Sequence, residues 1–246
     1  MTKVEFPLRL SVWSGPRNIS TAMMRSFSSR SDCHPVDEPF YAYYLTQTGL
    51  QHPMRDEIIA SQSSDWKTVI SQINGALPHK KSVLYLKHMT QHMLPDIELE
   101  GLMDHTHCFL IRDPRLVIAS FSEKMDRVSA EATGFKRQLE LYRYFSKQAA
   151  IRPVVIEGED IQKNPGKMLE RLCEACNLPF DMAMLSWKAG PLPEDGIWGA
   201  HWYNAVEKST GFSAYSEKKV VLSAEQERLA KELEPFYQEL KAHKLT

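Results

Sequence analysis

The sequence has almost no net charge, and this lack excludes several classes of partner. Its 30 lysine and arginine residues are balanced by 31 aspartate and glutamate residues, which gives a formal net charge of −1. Proteins that bind nucleic acid or an acidic membrane surface usually carry an excess of positive charge, so we expect neither partner. Recognition of an anion must then depend on a few arginines in defined positions, and we expect the target to be a small molecule.

Long apolar runs and cysteines are also scarce. No segment is apolar over the length that a bilayer requires, and the first residues lack the apolar stretch of a signal peptide, so we expect a cytoplasmic protein without a membrane span. The four cysteines are too few and too scattered for a disulfide framework. Cys173 and Cys176 form a CxxC pair, but they follow the helical spacing of nearby apolar residues, which indicates core packing.

The sequence does contain a regular alternation of strand and helix patterns. Short apolar runs bounded by turn residues predict strands at 8–13, 82–89, 106–111 and 153–159. Helical spacing of apolar residues occurs at 20–30, 63–77, 114–125, 134–150, 164–177 and 223–243. Such alternation is typical of an α/β fold in which a parallel sheet is covered by helices on both faces. The length of 246 residues fits one domain over 1–246.

Two of the strand–turn–helix units carry an arginine in the turn, namely Arg17 and Arg112. A helix N-terminus presents unpaired N–H groups and the positive end of the helix dipole, and arginine adds a fork of donors, so each unit suits an anion. Both turns fall beyond the carboxyl ends of strands, where open parallel sheets bind their ligands. A ligand with two separated phosphate groups would fit. The candidate residues of the first turn are Gly15, Pro16, Arg17, Asn18, Ile19, Ser20 and Thr21.

The first turn differs from the phosphate loop of ATP- and GTP-binding proteins. That loop requires a second glycine followed by a lysine, and counting from Gly15 places Ser20 and Thr21 at those positions. The lysine that would contact the β- and γ-phosphates is therefore absent. Arg17 would instead offer its donors to a phosphate or sulfate, while the hydroxyls of Ser20 or Thr21 would cap the helix and donate to an oxyanion.

The second turn is more specific. Arg112 follows the apolar strand, Asp113 can cap the next helix, Pro114 suits its first turn, and Ser120 lies eight residues after Arg112. This arrangement resembles the 3′-phosphate-binding element of sulfotransferases that use 3′-phosphoadenosine 5′-phosphosulfate (PAPS). The loop GPRNIST then looks like the loop that binds the 5′-phosphosulfate in that family. The resemblance implies a three-layer sulfotransferase fold, similar to that of phosphate-loop proteins, and PAPS as the sulfuryl donor.

Other segments are similar to the same family. DEPF, at residues 37–40, resembles the segment after the second strand, where a glutamate can act as the catalytic base. The stretch 154–180 resembles the strand, acidic turn and helix that end in a Leu-Pro-Phe signature. Two departures from the family pattern are the missing Lys-Ser-Gly-Thr sequence in the first loop and a weak counterpart of the glycine-rich C-terminal loop. The residues that best match that C-terminal loop are Lys208, Ser209, Thr210 and Gly211.

The resemblance implies transfer of SO₃ from PAPS to an acceptor hydroxyl, without a metal. Arg17 would stabilise the oxygen that leaves the sulfur, because charge develops there in the transition state. An acceptor hydroxyl loses a proton, and the candidate bases are Glu38 and, as a second choice, His88, with Lys87 beside it as a possible cation near the sulfuryl group. His105 and His107 form a His-x-His pair, but no third ligand has the spacing of a metal site.

The acceptor and two alternative functions remain open at this stage. The chain could be a kinase-like phosphoryl transferase of the phosphate-loop class, or a non-catalytic module that binds PAPS or another nucleotide. The segments 41–58, 125–135 and 192–203 are candidates for the acceptor pocket, and their mixed aromatic and charged composition fits sugars, phenols, lipids or small alcohols. Within the last segment, Trp198, Trp202 and Tyr203 could cover the adenine or line the acceptor pocket, or they could only anchor the loop. The oligomeric state leaves no signal in the sequence.

Overall fold

Five parallel strands form one sheet in the order β2-β3-β1-β4-β5. The structure is a computed structural model that describes residues 7–246 except 79, 126 and 218. The strands are β1 (Leu8–Ser14), β2 (Cys33–Asp37), β3 (Val83–Met89), β4 (Thr106–Ile111) and β5 (Val154–Glu157).

The helices connect these strands and cover the sheet. In chain order they are α1 (Ser20–Ser28), α2 (Tyr41–Thr48), α3 (Arg55–Ser61), α4 (Trp66–Ile73), α5 (Pro114–Ser122), α6 (Ala130–Thr133), α7 (Phe135–Gln148), α8 (Gly158–Lys163), α9 (Pro165–Ala175), α10 (Gly199–Trp202) and α11 (Ala224–Lys241). Short 3-10 helices lie at Thr90–His92, Glu100–Leu102 and Met182–Leu185. None of the described helices is long and apolar enough to cross a membrane.

The sheet separates two apolar cores. Successive side chains of a strand point to opposite faces, so Val12 packs in one core and Trp13, its neighbour, packs in the other. Helices α1, α8 and α9 cover the face of Val12, and helices α4, α5, α7 and α11 cover the face of Trp13. The expected three-layer α/β fold is confirmed.

The order of the strands places a crevice beside β1. The chain passes from β3, on one side of β1, to β4 on the other, so the connections at the carboxyl edge diverge around β1. The loops that follow β1 and β4 meet there, because these strands are direct neighbours. Both arginine turns predicted from the sequence therefore lie at one edge of the sheet.

Several elements differ from the sequence prediction. Strand β2 was not found by its apolar pattern, because Cys-His-Pro-Val-Asp alternates buried and half-buried side chains and includes a proline. The strand predicted at 153–159 is shorter, because helix α8 starts at Gly158. Helices α2 and α3 occupy the segment 41–58, for which no helix was predicted. The C-terminal helix agrees with its prediction, and Ser223 and Gln226 form a capping box at its start.

Candidate active site

The loop between β1 and α1 is held in an uncommon backbone conformation. Arg17 and Ile19 both have positive φ angles, of 63° and 55°, which are rare for residues other than glycine. Gly15 has no room for a side chain, since a Cβ atom there would lie 2.2 Å from the carbonyl oxygen of Thr133. Ile19 precedes α1 and provides no side-chain cap. The first N–H groups of α1 therefore remain available to an anion.

The two arginine turns contact each other directly. Arg17 donates from Nε to Oγ of Ser120 at 2.9 Å, and Arg112 donates from Nη1 to the carbonyl oxygen of Arg17 at 2.7 Å. Burial lowers the pKa of both arginines, and Arg17 lowers the pKa of Arg112 further by charge repulsion. Within the described residues neither arginine forms a salt bridge, and the buried Nε of Arg112 has no hydrogen-bond partner. Two cations in this environment favour a bound anion.

A second charged cluster lies where β2 and β3 end. Asp37 and Lys87 are register partners on these strands, and Glu38 follows Asp37. The ammonium group of Lys87 donates to Oδ1 of Asp37 at 2.8 Å, to Oε1 of Glu38 at 2.5 Å and to the hydroxyl of Tyr203 at 2.8 Å. Tyr203 donates to Oδ2 of Asp37 at 2.6 Å. All four side chains are buried, so the network fixes the position of Glu38.

The buried position of Glu38 brings the ionisation of its carboxyl group close to neutral pH. Burial raises the pKa of Glu38 to about 7, with Lys87 acting against the rise and Asp37 adding to it. Burial acts to lower the pKa of Lys87, but Asp37 and Glu38 outweigh it, so the pKa of Lys87 is raised and the ammonium stays charged. Glu38 itself has a φ of 43°, an uncommon conformation that turns it out of the line of β2.

One cavity of about 270 Å³ joins the two clusters. It extends from the loop after β1, past Arg112 and Ser120, to Glu38 and Lys87. Two residues of the segment compared with the glycine-rich C-terminal loop, Ser209 and Gly211, also line the cavity. The residues singled out in the sequence that line this cavity are Pro16, Arg17, Asn18, Ile19, Ser20, Thr21, Glu38, Lys87, Arg112, Ser120, Trp202, Tyr203, Ser209 and Gly211.

Comparison with known proteins identifies the family. A family model described as a sulfotransferase domain matches residues 8–244. The chain belongs to the sulfotransferase family. This confirms the family expected from the sequence, and the family and fold together support sulfotransferase activity.

Solved sulfotransferases share the fold at low sequence identity. The sulfotransferase domain from the curacin biosynthetic pathway superposes with a TM-score of 0.57 at 18% identity, covering 94% of this chain and 98% of that chain. A sulfotransferase from Alicyclobacillus acidocaldarius gives a TM-score of 0.58 at 9% identity, covering 97% of both chains.

Two curated relatives from Arabidopsis thaliana are more similar in sequence. They are named branched-chain-amino-acid aminotransferase-like protein 2 and protein 1, and they are 34% and 35% identical over 231 residues. The match covers 94% of this chain but 41% of each relative. The sulfotransferase chain thus spans less than half the length of these relatives.

The structure places His88 away from the cavity. Its ring stacks on Trp13 at 4.1 Å, and its Nε2 is 3.2 Å from Oγ of Ser11. Burial, followed by the charges of His105 and His107, holds the pKa of His88 well below its ordinary value. Because side chains alternate along β3, Lys87 points to the cavity and the next residue points into the opposite core. His88 therefore does not lie in the cavity, where the catalytic base was expected.

Other singled-out residues also lie outside the cavity lining. Gly15 packs against Thr133, while Lys208 and Thr210 are exposed and the backbone of Thr210 accepts a hydrogen bond from Trp187. His105 and His107 face a core, where their Nδ1 atoms bond to Ser11 and Trp13. In the part of the chain that the structure describes, no group of three or more His, Cys, Asp or Glu side chains could hold a metal ion.

Sequence reasoning missed several residues around Glu38. Tyr41, His52 and His92 line the cavity beside it, as do Trp202 and Tyr203, which the sequence analysis did single out. They come from the segments 41–58 and 192–203, which were candidates for the acceptor pocket, and from the 3-10 helix after β3. No described residue of the segment 125–135 lines the cavity, and Asp126 lies outside the described residues. His88 and His92 are both isolated histidines near the end of β3, and no sequence pattern shows which of them faces the cavity.

Proposed function

We propose that this chain transfers a sulfuryl group from PAPS to a hydroxyl group of a small-molecule acceptor. The observation that carries the proposal is a pair of half-buried arginines that form no salt bridge among the described residues and are joined through Ser120 and the backbone of the loop after β1. Two anionic groups on one ligand would satisfy both cationic turns, which fits a donor with separate 3′- and 5′-phosphate groups. The family membership supports the same donor.

The cavity divides into a donor side and an acceptor side. On the donor side, Arg112 and Ser120 would bind the 3′-phosphate, and the N-terminus of α1 with its loop would bind the 5′-phosphosulfate. Ser209 and Gly211 would contact the nucleotide from the C-terminal loop, since both line the cavity. On the acceptor side, Glu38 would meet the acceptor among the aromatic side chains of Tyr41, Trp202 and Tyr203, which also line the cavity.

The transfer would require one base and stabilisation of the departing phosphate. The acceptor oxygen forms a bond to sulfur, the bond between sulfur and the bridging oxygen breaks, and the product 3′-phosphoadenosine 5′-phosphate (PAP) leaves with the electron pair. Arg17 would stabilise that bridging oxygen, because its guanidinium can donate from Nη groups while Nε stays on Ser120. The acceptor proton passes to Glu38, whose pKa of about 7 suits this exchange at neutral pH. Lys87 would act by holding Glu38 in place.

Binding measurements can test the donor first. We expect PAP to bind in calorimetry, and adenosine 5′-monophosphate, which lacks the 3′-phosphate, to bind much more weakly. A preference for ATP with Mg²⁺ over PAP would favour the kinase-like alternative instead, because that function needs the β- and γ-phosphates.

Transfer itself can be tested with radiolabelled PAPS and a panel of phenols, sugars, sterols and small alcohols. Label should appear in at least one acceptor, and the activity should persist in EDTA. If PAP binds but no member of the panel is labelled, the chain acts as a nucleotide-binding module. Arg112→Ala serves as the matched control, since it should remove the preference for the 3′-phosphate without unfolding the sheet.

A further inference from the structure

Glu38 and His92 face each other across a narrow gap in the cavity wall. Oε2 of Glu38 and Nδ1 of His92 are 3.9 Å apart, which is too long for a hydrogen bond between them. Both side chains line the cavity, and the buried Nδ1 has no hydrogen-bond partner among the residues that the structure describes. An oxygen atom placed about 2.8 Å from each would bond to both, with about 90° between the two bonds. The gap therefore fits one small polar group.

The two residues are held in this arrangement by contacts on their far sides. The ring of His92 stacks on Tyr41 at 4.4 Å and on Tyr44 at 4.7 Å, and the side chain is almost fully buried. Glu38 has its other oxygen, Oε1, on the ammonium of Lys87. Oε2 is thus the oxygen that remains for a ligand, and the direction of the imidazole toward it is fixed.

The protonation state of His92 follows from its surroundings. Burial, followed by the charges of His52, Lys87 and His88, holds the pKa of His92 well below its ordinary value, so the imidazole is neutral at pH 7. A neutral imidazole carries one hydrogen, on either nitrogen. The nearby carboxylate of Glu38 favours the hydrogen on Nδ1, because that places its positive end toward the negative charge.

We infer that Glu38 and His92 together bind the reacting hydroxyl of the acceptor, the hydroxyl donating to Oε2 of Glu38 and accepting from the Nδ1–H of His92. This inference rests on the proposed sulfuryl transfer. In the reaction the O–H bond breaks and its proton goes to Glu38, while His92 keeps its own proton. The second lone pair of the oxygen is left to attack the sulfur.

The arrangement selects oxygen over nitrogen as the reacting atom. A neutral amine has a single lone pair, and accepting from His92 would use it, so no pair would remain for the sulfur. A hydroxyl has two lone pairs and can satisfy both requirements. We therefore expect alcohols or phenols, and not amines, as acceptors.

Two substitutions at His92 distinguish the effect of its Nδ1 atom from the effect of its aromatic ring. His92→Phe keeps an aromatic ring against the tyrosines and removes Nδ1, whereas His92→Asn loses the ring but returns an amide N–H near the place of Nδ1. The control is His243→Phe, because His243 also stacks on a tyrosine, Tyr142, but lies outside the cavity. Each variant is measured for PAP binding, for transfer to 2-phenylethanol and 2-phenylethylamine, and for the slow hydrolysis of PAPS, in which water takes the acceptor position.

The expected result is a loss of about 10- to 100-fold in kcat/KM for the hydroxyl acceptors, water included, in His92→Phe. Part of the lost kcat/KM should return in His92→Asn, and PAP binding should be unchanged in both variants. Equal losses in the two variants, unchanged hydrolysis and transfer in His92→Phe, or faster transfer to the amine than to the alcohol would overturn the inference. Failure of the wild-type chain to bind PAP would instead count against the proposed function.

A measurement without turnover gives an independent test. The ¹⁵N shifts of the imidazole, assigned by their loss in His92→Phe, report which nitrogen carries the hydrogen in the PAP complex. We expect the Nδ1–H form. A hydrogen on Nε2 would contradict the inference even if the activity measurements agreed with it.

Discussion

Glu38 should give the transfer reaction its dependence on pH. Only the unprotonated carboxylate can accept the proton of the acceptor hydroxyl, and burial raises the pKa of Glu38 to about 7. Activity should therefore be lost as the pH falls through this value. Between pH 8 and pH 6 we expect kcat/KM to fall about 10-fold, with a slope of one below the pKa and a plateau above it.

The substitution Glu38→Gln keeps the shape of the side chain and removes its basicity. A positioned base contributes about 10²- to 10⁴-fold, so transfer should fall by that factor and the acidic limb of the pH profile should disappear. Lys87 still has Asp37 as a partner in this variant, so the network should remain folded. PAP binding should change little, since the carboxylate lies on the acceptor side.

The assay is the initial rate of sulfuryl transfer from radiolabelled PAPS between pH 5.5 and 8.5, with PAP calorimetry on each variant. His88→Asn is the comparison, because His88 lies in the core on the other side of β3. That variant should lose stability and keep the acidic limb. If Glu38→Gln retained both near-full activity and the limb, while His88→Asn lost them, the assignment of the base to Glu38 would be refuted.

Three further outcomes follow from the same contacts. Arg112→Ala should weaken PAP by about 1.5–3 kcal/mol and leave adenosine 5′-monophosphate almost unaffected in calorimetry; equal weakening of both would contradict the 3′-phosphate assignment. Lys87→Met should move the acidic limb of the rate to higher pH, since Glu38 would lose its cation, and should cost about 3–5 kcal/mol in urea unfolding; an unmoved limb would argue against the charge network. Burial first, with neighbouring positive charge, lowers the pKa of His105 to about 4 and of His107 to about 3. Their contribution to stability is complete above the unfolded pKa of about 6.5 and is lost below it, by about 2 kcal/mol for each at pH 5, so replacing either by Phe should reduce the loss of stability between pH 7.5 and pH 5 in urea unfolding by about that amount.

The two arginine turns could be predicted from the sequence because their signals are local. A strand, a turn with one arginine and a capped helix are consecutive in the chain, so Arg17 with the start of α1 and Arg112 with Asp113 and Pro114 could be read directly. The parallel sheet then brings the ends of β1 and β4 together, because strands in such a sheet run the same way. What the sequence determined was the two arginine turns and the edge of the sheet where they meet.

The surroundings of Glu38 were decided by the tertiary structure. Strand β3 is buried on both faces, so its apolar run gives no sign of whether Lys87 or His88 faces the cavity. Its register with β2 places Lys87 beside Asp37, and Tyr203 reaches the same charges from a distant loop. Only that folded arrangement buries Glu38 enough to raise its pKa and sets it opposite His92. These effects depend on distances between groups that are far apart in the chain, and no local pattern of residues records them.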